Sequence, residues 1–266
     1  MDYNYKDIKK AYKKLGVERG STVLLKTDLR YLGAYDSLDR NEALSAHYNA
    51  LSELIDFSKG TLVVSTASQK IMNTNTPFDL RKTPSERGIL TQYICNEKES
   101  IRSFHPFDSY TAIGKNAKYI CCDVSRHSYG PETPKARLID MNSLCVTIGL
   151  SPRLCSSTPH HIEMVMGVPY RYTREFIHPV VRNEKLQEEP FYRFVWYRNC
   201  PIKRNKNRKI FNNFIESGHK VKKVPLGQGH IYSFSMHDFT MITIQYFKRD
   251  IYAWLDQEPE SKPYLD

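Results

Sequence analysis

The segment Ser156-Ser157-Thr158-Pro159-His160-His161-Ile162-Glu163 combines an imidazole and a carboxylate at a usable spacing. Thr158 predicts a helix cap and Pro159 the first helical position. His160 and Glu163 then stand three residues apart on one helix face. A carboxylate beside an imidazole fixes its tautomer and favours its charged form. That suits a general base that takes a proton from a nucleophile. The positive end of the helix works the other way and favours the neutral ring. A structural or solvated histidine fits the same spacing. His161 points elsewhere on the helix and reads as a packing or capping residue.

A second candidate is Arg102-Ser103-Phe104-His105-Pro106-Phe107-Asp108-Ser109, followed by Gly114. One reading is a turn, because proline disfavours helix at His105 and Asp108 or Ser109 can cap the next element. The other is a loop whose serines and backbone meet a polar ligand. A third cluster is basic: Lys203, Arg204, Lys206, Arg208 and Lys209, then Lys220, Lys222 and Lys223. It reads as a solvated face or, with its aromatic neighbours, as a nucleic-acid groove. No helix-turn-helix, zinc-finger or RNA-recognition signature accompanies it. There is no Walker loop, no GxGxxG and no GxSxG elbow, which removes the main support for P-loop kinases, Rossmann dehydrogenases and α/β-hydrolases. His160 and His161 are adjacent and do not converge on one metal ion. None of the six cysteines has the neighbours that activate a nucleophile.

Elements that alternate between helix and strand must position these groups. Apolar spacing predicts a helix over Tyr5 to Leu15, ended by Gly16 and Gly20. A buried strand follows at 21–27, a helix at 39–54 with Asp39 as its cap, and a strand at 61–66. Residues 68–83 read as a long loop, and Thr83-Pro84 as the start of a helix reaching Asn96. Residues 115–123 are ambiguous, and 144–150 read as a strand. Beyond residue 168, tyrosine and β-favouring residues dominate, with strands at 191–198 and 231–234 and a closing helix over 239–255. A polar, frayed tail is expected from Gln257. The expectation is an α/β fold: a layered α/β/α arrangement around a largely parallel or mixed central sheet, with an additional β-rich C-terminal region. We expect one domain over 1–266, with a first part at 1–168, a β-rich part at 169–256 and a polar tail at 257–266.

The 266 residues carry 39 Lys and Arg against 29 Asp and Glu, a net +10. A positive field favours anionic partners and disfavours a polycation unless the site is locally acidic. Apolar runs are too short to span a bilayer, and six scattered cysteines do not form a disulfide scaffold. The expected location is the cytoplasm.

Taken in order, the pieces resemble the aminoglycoside 3-N-acetyltransferase family, over roughly residues 6–170. They are Gly20 with the strand Val23 to Leu29, Leu32-Gly33, Gly60 to Val64, Pro77-Phe78-Asp79, Thr83-Pro84 and Gly88. The RSxHPxxS segment at 102–109 and Gly114 come next, then Gly130, Thr133-Pro134, Leu138, Ile148-Gly149 and the TxHxxE segment at 158–163. The resemblance implies an α/β fold distinct from the GNAT acetyltransferases, and acetyl-CoA or another acyl-CoA as co-substrate. It implies His160 as the catalytic base and Glu163 as its partner. It puts Lys26, Thr27, Asp28, Ser103, His105 and Ser109 at the cofactor and Asp79 near the acceptor, in a single acyltransferase domain whose CoA-binding and catalytic part is 1–168 and whose acceptor side is 169–256. The family often has His-Ser-Ser where this chain has Lys26-Thr27-Asp28.

The expected reaction is direct attack of an amino-sugar amine on the thioester. The positive charge favours a nucleotide-linked amino sugar, of the kind used in polysaccharide biosynthesis, as acceptor. True aminoglycoside acetylation is the alternative, and nucleic-acid binding the non-enzymatic one. Tyr170, Tyr172, Tyr192, Trp196 and Tyr197 read either as a stacking surface for a sugar or base or as sheet core. The expected partners are the small acceptor and, as a candidate, a second copy of the chain, with no nucleic acid, membrane or metal.

Overall fold

A computed structural model describes residues 1–37, 39–152, 157–200, 202–203 and 209–264. The elements run α1 (Tyr5–Leu15), β1 (Thr22–Thr27), α2 (Arg40–Ile55), β2 (Thr61–Ser65), α3 (Ile89–Asn96), β3 (Ile101–Arg102) and β4 (Tyr110–Gly114). They continue with α4 (Ala117–Cys121), α5 (Pro134–Asp140), β5 (Leu144–Ile148), α6 (Ser157–Val165), β6 (Arg171–Arg182) and β7 (Lys185–Trp196). The last four are α7 (Lys209–Glu216), β8 (Lys222–Leu226), β9 (Gly229–Ser235) and α8 (Met236–Arg249).

Seven strands form a mixed sheet in the order β3-β4-β2-β1-β5-β9-β8. The centre is parallel, with β1 between β2 and β5, and the flanks are antiparallel. Side chains alternate between the two faces of a strand, and both faces here are buried. Val23, Leu25, Leu62 and Val64 pack with Tyr12 of α1, Leu51 of α2 and Ile94 of α3. Leu24 and Val63 point the other way, toward Ile120 of α4, Leu138 of α5, Ile162 of α6 and Phe239 of α8. This is the layered α/β/α arrangement expected from the sequence.

The β-rich second half divides in two. Strands β8 and β9 extend the central sheet beside β5, while β6 and β7 form a separate two-stranded hairpin. Asn183 and Glu184, at φ 48° and 63°, connect its strands from Arg182 to Lys185. Two left-handed residues in a two-residue loop match the natural twist of a hairpin. The hairpin packs through Phe176, Val180 and Phe191 on Phe78 and Phe107, and Phe78 exchanges backbone hydrogen bonds with Pro179 and Val181.

Several boundaries differ from the sequence reading. Thr83-Pro84 does not start a helix; α3 begins at Ile89. The Thr83 carbonyl accepts from Arg102 and the Pro84 carbonyl from Ser68 Oγ, and Gly88 sits at φ 106°, outside helical space. Helix α6 begins at Ser157, so Thr158 lies within it rather than capping it. The closing helix spans 236–249 rather than 239–255, capped by Ser235 on the Asp238 N–H. The tail is docked rather than frayed as far as Tyr264: the Tyr252 and Tyr264 hydroxyls meet at 3.1 Å, and Cys200 Sγ lies 3.2 Å from the Ser261 carbonyl. Arg204, Lys206 and Arg208 of the basic cluster lie outside the described residues. No helix among the described residues is long and apolar enough to cross a membrane.

Candidate active site

The cleft opens at the carboxyl ends of the parallel strands, where open α/β sheets bind ligands. Lys26 and Thr27 end β1, Ser65 ends β2 and Leu150 follows β5; all line a cleft of about 530 Å³. The hairpin forms the opposite wall with Arg193, Phe194, Val195 and Trp196, and His160 faces the same space from α6.

His160 Nδ1 lies 2.6 Å from Glu163 Oε2, three residues on along α6. A contact this short between a ring nitrogen and a carboxylate holds a proton, so Nδ1–H donates to Glu163. The neutral ring then carries its basic lone pair on Nε2. Arg171 Nη2 lies 3.0 Å from both Nδ1 and Glu163 Oε2. With Nδ1 protonated, the guanidinium bonds the carboxylate rather than the ring. Tyr170 Oη donates to Glu163 Oε1 at 3.0 Å. Glu163 is fully buried, which raises its pKa. The His160 hydrogen bond and the Arg171 charge outweigh that burial, so the carboxyl is held below its usual range. Arg171 is held in turn by the Phe194 carbonyl at 3.0 Å and by the Trp196 ring, 4.8 Å from its guanidinium.

The other predicted residues divide sharply. Lys26 and Thr27 line the cleft, and Lys26 Nζ donates to Ser157 Oγ at 2.9 Å. Asp28 does not line it; its carboxylate caps the turn after β1 and binds the Arg30 guanidinium at 2.8 and 2.6 Å. Ser103, His105 and Ser109 are buried behind the wall and brace it. Ser103 Oγ accepts the Tyr110 N–H at 2.9 Å. His105 Nδ1 accepts the N–H groups of Phe107 and Asp108 at 3.2 and 3.1 Å, and burial pushes its pKa down to about 4. Ser109 Oγ accepts from Arg102 Nε at 3.0 Å and donates to the Thr66 carbonyl at 3.0 Å. Asp79 is also outside the lining; its Oδ1 accepts the Arg81 and Lys82 N–H groups of its own turn. His161 packs, as expected, and accepts the Gly130 N–H at 3.2 Å.

The structure adds residues that the sequence reading did not assign. Asp108 lines the cleft, bound by Ser128 at 2.6 Å, Gln69 at 2.7 Å and Arg193 at 2.9 Å. Burial raises its pKa, but Arg193 and His105 outweigh this and hold it low. Its signal was adjacency to Ser109 within the second motif. Arg87, Arg171 and Arg193 carried no local signal. Of the five aromatic residues singled out, Trp196 lines the cleft, whereas Tyr170 is fully buried under Glu163. Among the described residues no cysteine lines the cleft; Cys155 lies outside them.

Comparison with known proteins gives the same outline. The family model for aminoglycoside 3-N-acetyltransferase matches residues 24–248, well past the point where the sequence motifs ended. No curated protein matches the chain by sequence. Among solved structures, aminoglycoside acetyltransferase AAC(3)-Xa is 17% identical with a TM-score of 0.79, over 92% of each chain. Sisomicin-bound AAC-VIa is 18% identical with a TM-score of 0.80, over 94% of this chain and 99% of that one. AAC-IIIb with CoASH is 16% identical with a TM-score of 0.77, over 92% and 96%. The chain therefore belongs to the aminoglycoside 3-N-acetyltransferase family, acyl-CoA-dependent enzymes that acylate an amine.

Proposed function

We propose that this chain transfers the acyl group of acyl-CoA to an amine of an aminoglycoside, with His160 as general base and Glu163 as its anchor. The observation that carries the reading is the 2.6 Å contact between His160 and a fully buried Glu163 on the wall of the cleft. Nε2 of His160 takes the proton of the attacking amine, while Glu163 and Arg171 fix the ring. The imidazolium then gives that proton to the departing thiolate. Such base catalysis contributes about 10²–10⁴-fold, and holding amine and thioester together contributes more.

The lining fits a phosphorylated co-substrate. Among the described residues, Lys26, Arg87, Arg171 and Arg193 face the cleft against one carboxylate, Asp108, which Arg193 already pairs. Lys26 and Thr27 are the predicted cofactor residues best situated to contact it. Ser103, His105 and Ser109 act through the loop they brace, and Asp28 and Asp79 through the turns they cap. CoA phosphates offset the cationic lining, so a polycationic acceptor enters after acyl-CoA. The aminoglycoside is favoured by the family match and by the sisomicin held in the AAC-VIa structure.

The cationic lining favours a second reading, in which the acceptor is a nucleotide-linked amino sugar. Measuring CoA release with sisomicin and with a nucleotide-linked amino sugar, at matched ionic strength, separates the two. Turnover with sisomicin supports the main reading, and turnover with the nucleotide sugar alone replaces it. In either case we place the reaction in the cytoplasm, in one catalytic unit over 1–266, with a homodimer as the candidate assembly. The nucleic-acid reading of the basic cluster gains no support from the family.

A further inference from the structure

The two adjacent histidines of α6 grip neighbouring residues of one loop. The His160 ring meets the Tyr129 ring at a centroid distance of 5.9 Å, with the planes at 51°. His161 Nδ1 accepts the N–H of Gly130, the next residue, at 3.2 Å. Successive helix residues point about 100° apart, so one turn of α6 holds the loop at two points. Tyr129 and His160 both line the cleft, whereas His161 is buried and does not.

The loop is tied elsewhere as well. Ser128 donates its N–H to the Tyr192 carbonyl at 2.9 Å and its hydroxyl to Asp108 at 2.6 Å. The Gly130 carbonyl accepts from Thr133 Oγ1 at 2.7 Å. Gly130 stands at φ 96°, a conformation that favours glycine. A Cβ there would lie 3.2 Å from the Met164 side chain, so the backbone runs close against α6. Tyr129 is therefore carried between a serine tied to the hairpin and a glycine tied to α6.

The hydrogen bonds also decide which nitrogens carry protons. A ring nitrogen that accepts an N–H is unprotonated, so neutral His161 has its proton on Nε2. Burial pushes its pKa down to about 4, which keeps the Nδ1 lone pair available at neutral pH. His160 is the reverse, with its proton on Nδ1 toward Glu163. The Glu163 bond fixes one corner of the His160 ring, and a bond at one corner lets the ring tilt about it. A second ring packed against it restricts that tilt. A displacement of about 1 Å at a reacting group costs up to about 10²-fold in rate.

We propose that Tyr129 and His161 are positioning residues: Tyr129 sets the tilt of the His160 ring, and His161 sets Tyr129 by holding the Gly130 N–H. The kinetic part of this inference rests on the acyl-transfer reading, whereas the ring positions are measured without turnover.

The experiment labels the nine histidines with ¹⁵N and observes their ring nitrogens by NMR at about pH 8, above the ordinary histidine range. Spectra of His160→Ala and His161→Asn assign the two residues. Urea unfolding and CoA calorimetry check that each variant folds and binds. In wild type, His160 shows a protonated Nδ1 and His161 a protonated Nε2. In Tyr129→Leu and His161→Leu the His160 Nδ1–H exchanges with water faster. In both, kcat falls about 10–10²-fold with KM for acyl-CoA within about two-fold of wild type. Tyr129→Phe keeps the ring, and His161→Asn puts an oxygen at the place of Nδ1; both stay close to wild type. His161→Leu is the change more apt to disturb folding, so Tyr129→Leu carries the decision. Wild-type exchange and kcat in Tyr129→Leu overturn the proposal, even if His160 proves to be the base. A rise in KM with kcat unchanged also overturns it, as does the same tautomer at both histidines. Faster exchange in Tyr129→Leu, with full turnover retained in His160→Ala, upholds the placement of the ring and overturns the general-base reading.

Discussion

Arg171 Nη2 lies 3.0 Å from Glu163 Oε2, the same oxygen that meets His160. The carboxylate is thus shared between the His160 imidazole and a guanidinium carried in from the hairpin. Neither α6 nor the hairpin holds the site alone. Glu163 is fully buried, so its charge is tolerated only while both partners stay in place.

Glu163→Gln should impair turnover without abolishing it. An amide oxygen still accepts from Nδ1–H but does not stabilise the imidazolium, and Arg171 is left without its counter-charge. We expect kcat to fall about 10–10²-fold, less than for His160→Ala. Arg171→Met strands a buried carboxylate and should cost about 3–5 kcal/mol of stability, measured by urea unfolding. Arg171→Met as stable as wild type would show that the shared carboxylate does not couple the hairpin to α6.

Stability should fall on mild acidification. Burial lowers the pKa of His47 to about 3, and those of His105 and His161 to about 4. A histidine lowered in the folded state binds protons more readily when unfolded. Its contribution is therefore complete above the unfolded value of about 6.5 and is lost as pH falls toward the folded value. Glu163 and Asp108, also lowered, add their losses only below about pH 4.5. The urea midpoint should drop steadily from about pH 6.5 to about pH 4. A flat midpoint over that range contradicts the burial of these rings.

The contact between His160 and Glu163 was legible because a helix repeats its faces every three to four residues. His160 and Glu163 needed only a helix to meet. The layered α/β order was equally legible, since Val23, Leu24 and Leu25 and Leu62, Val63 and Val64 are short runs buried on both faces. Arg171 was not legible, because its contact depends on β6 folding back over α6. That Ser103, His105 and Ser109 do not line the cleft was not legible either, for a related reason. Spacing identifies the motif but does not say which side of the loop faces a ligand, and here they hold backbone groups while Asp108 faces the cleft. Thr83-Pro84 failed as a helix start because Arg102 and Ser68 capture the carbonyls that a helix would need. The signal was genuine, and tertiary hydrogen bonds overrode it.

Gly149 should resist substitution. It follows β5 at φ 66°, and a Cβ there would lie 2.1 Å from the Asp28 carbonyl oxygen, a backbone atom. Gly149→Ala must move either the turn after β1 or Leu150, which lines the cleft. We expect a loss of about 2 kcal/mol or more, together with weaker CoA binding by calorimetry. Wild-type stability and affinity in this variant would contradict the close approach of these two turns.

Arg193 should distinguish the acceptors. Arg193→Gln removes a cation from the cleft wall and leaves Asp108 less compensated. The cleft becomes more favourable to a polycation, so KM for an aminoglycoside should fall by a few-fold at low salt, with a smaller effect at high salt. An increase in that KM would favour an anionic acceptor held by Arg193.

On the proposed mechanism, His160 takes the proton of the attacking amine. The most direct measurement compares single-turnover acyl transfer by wild type and His160→Ala at about pH 7–8, with CoA affinity measured in parallel. The expected rate is about 10²–10⁴-fold lower in the variant, with CoA affinity within about two-fold of wild type. A variant that transfers the acyl group at close to the wild-type rate would contradict it.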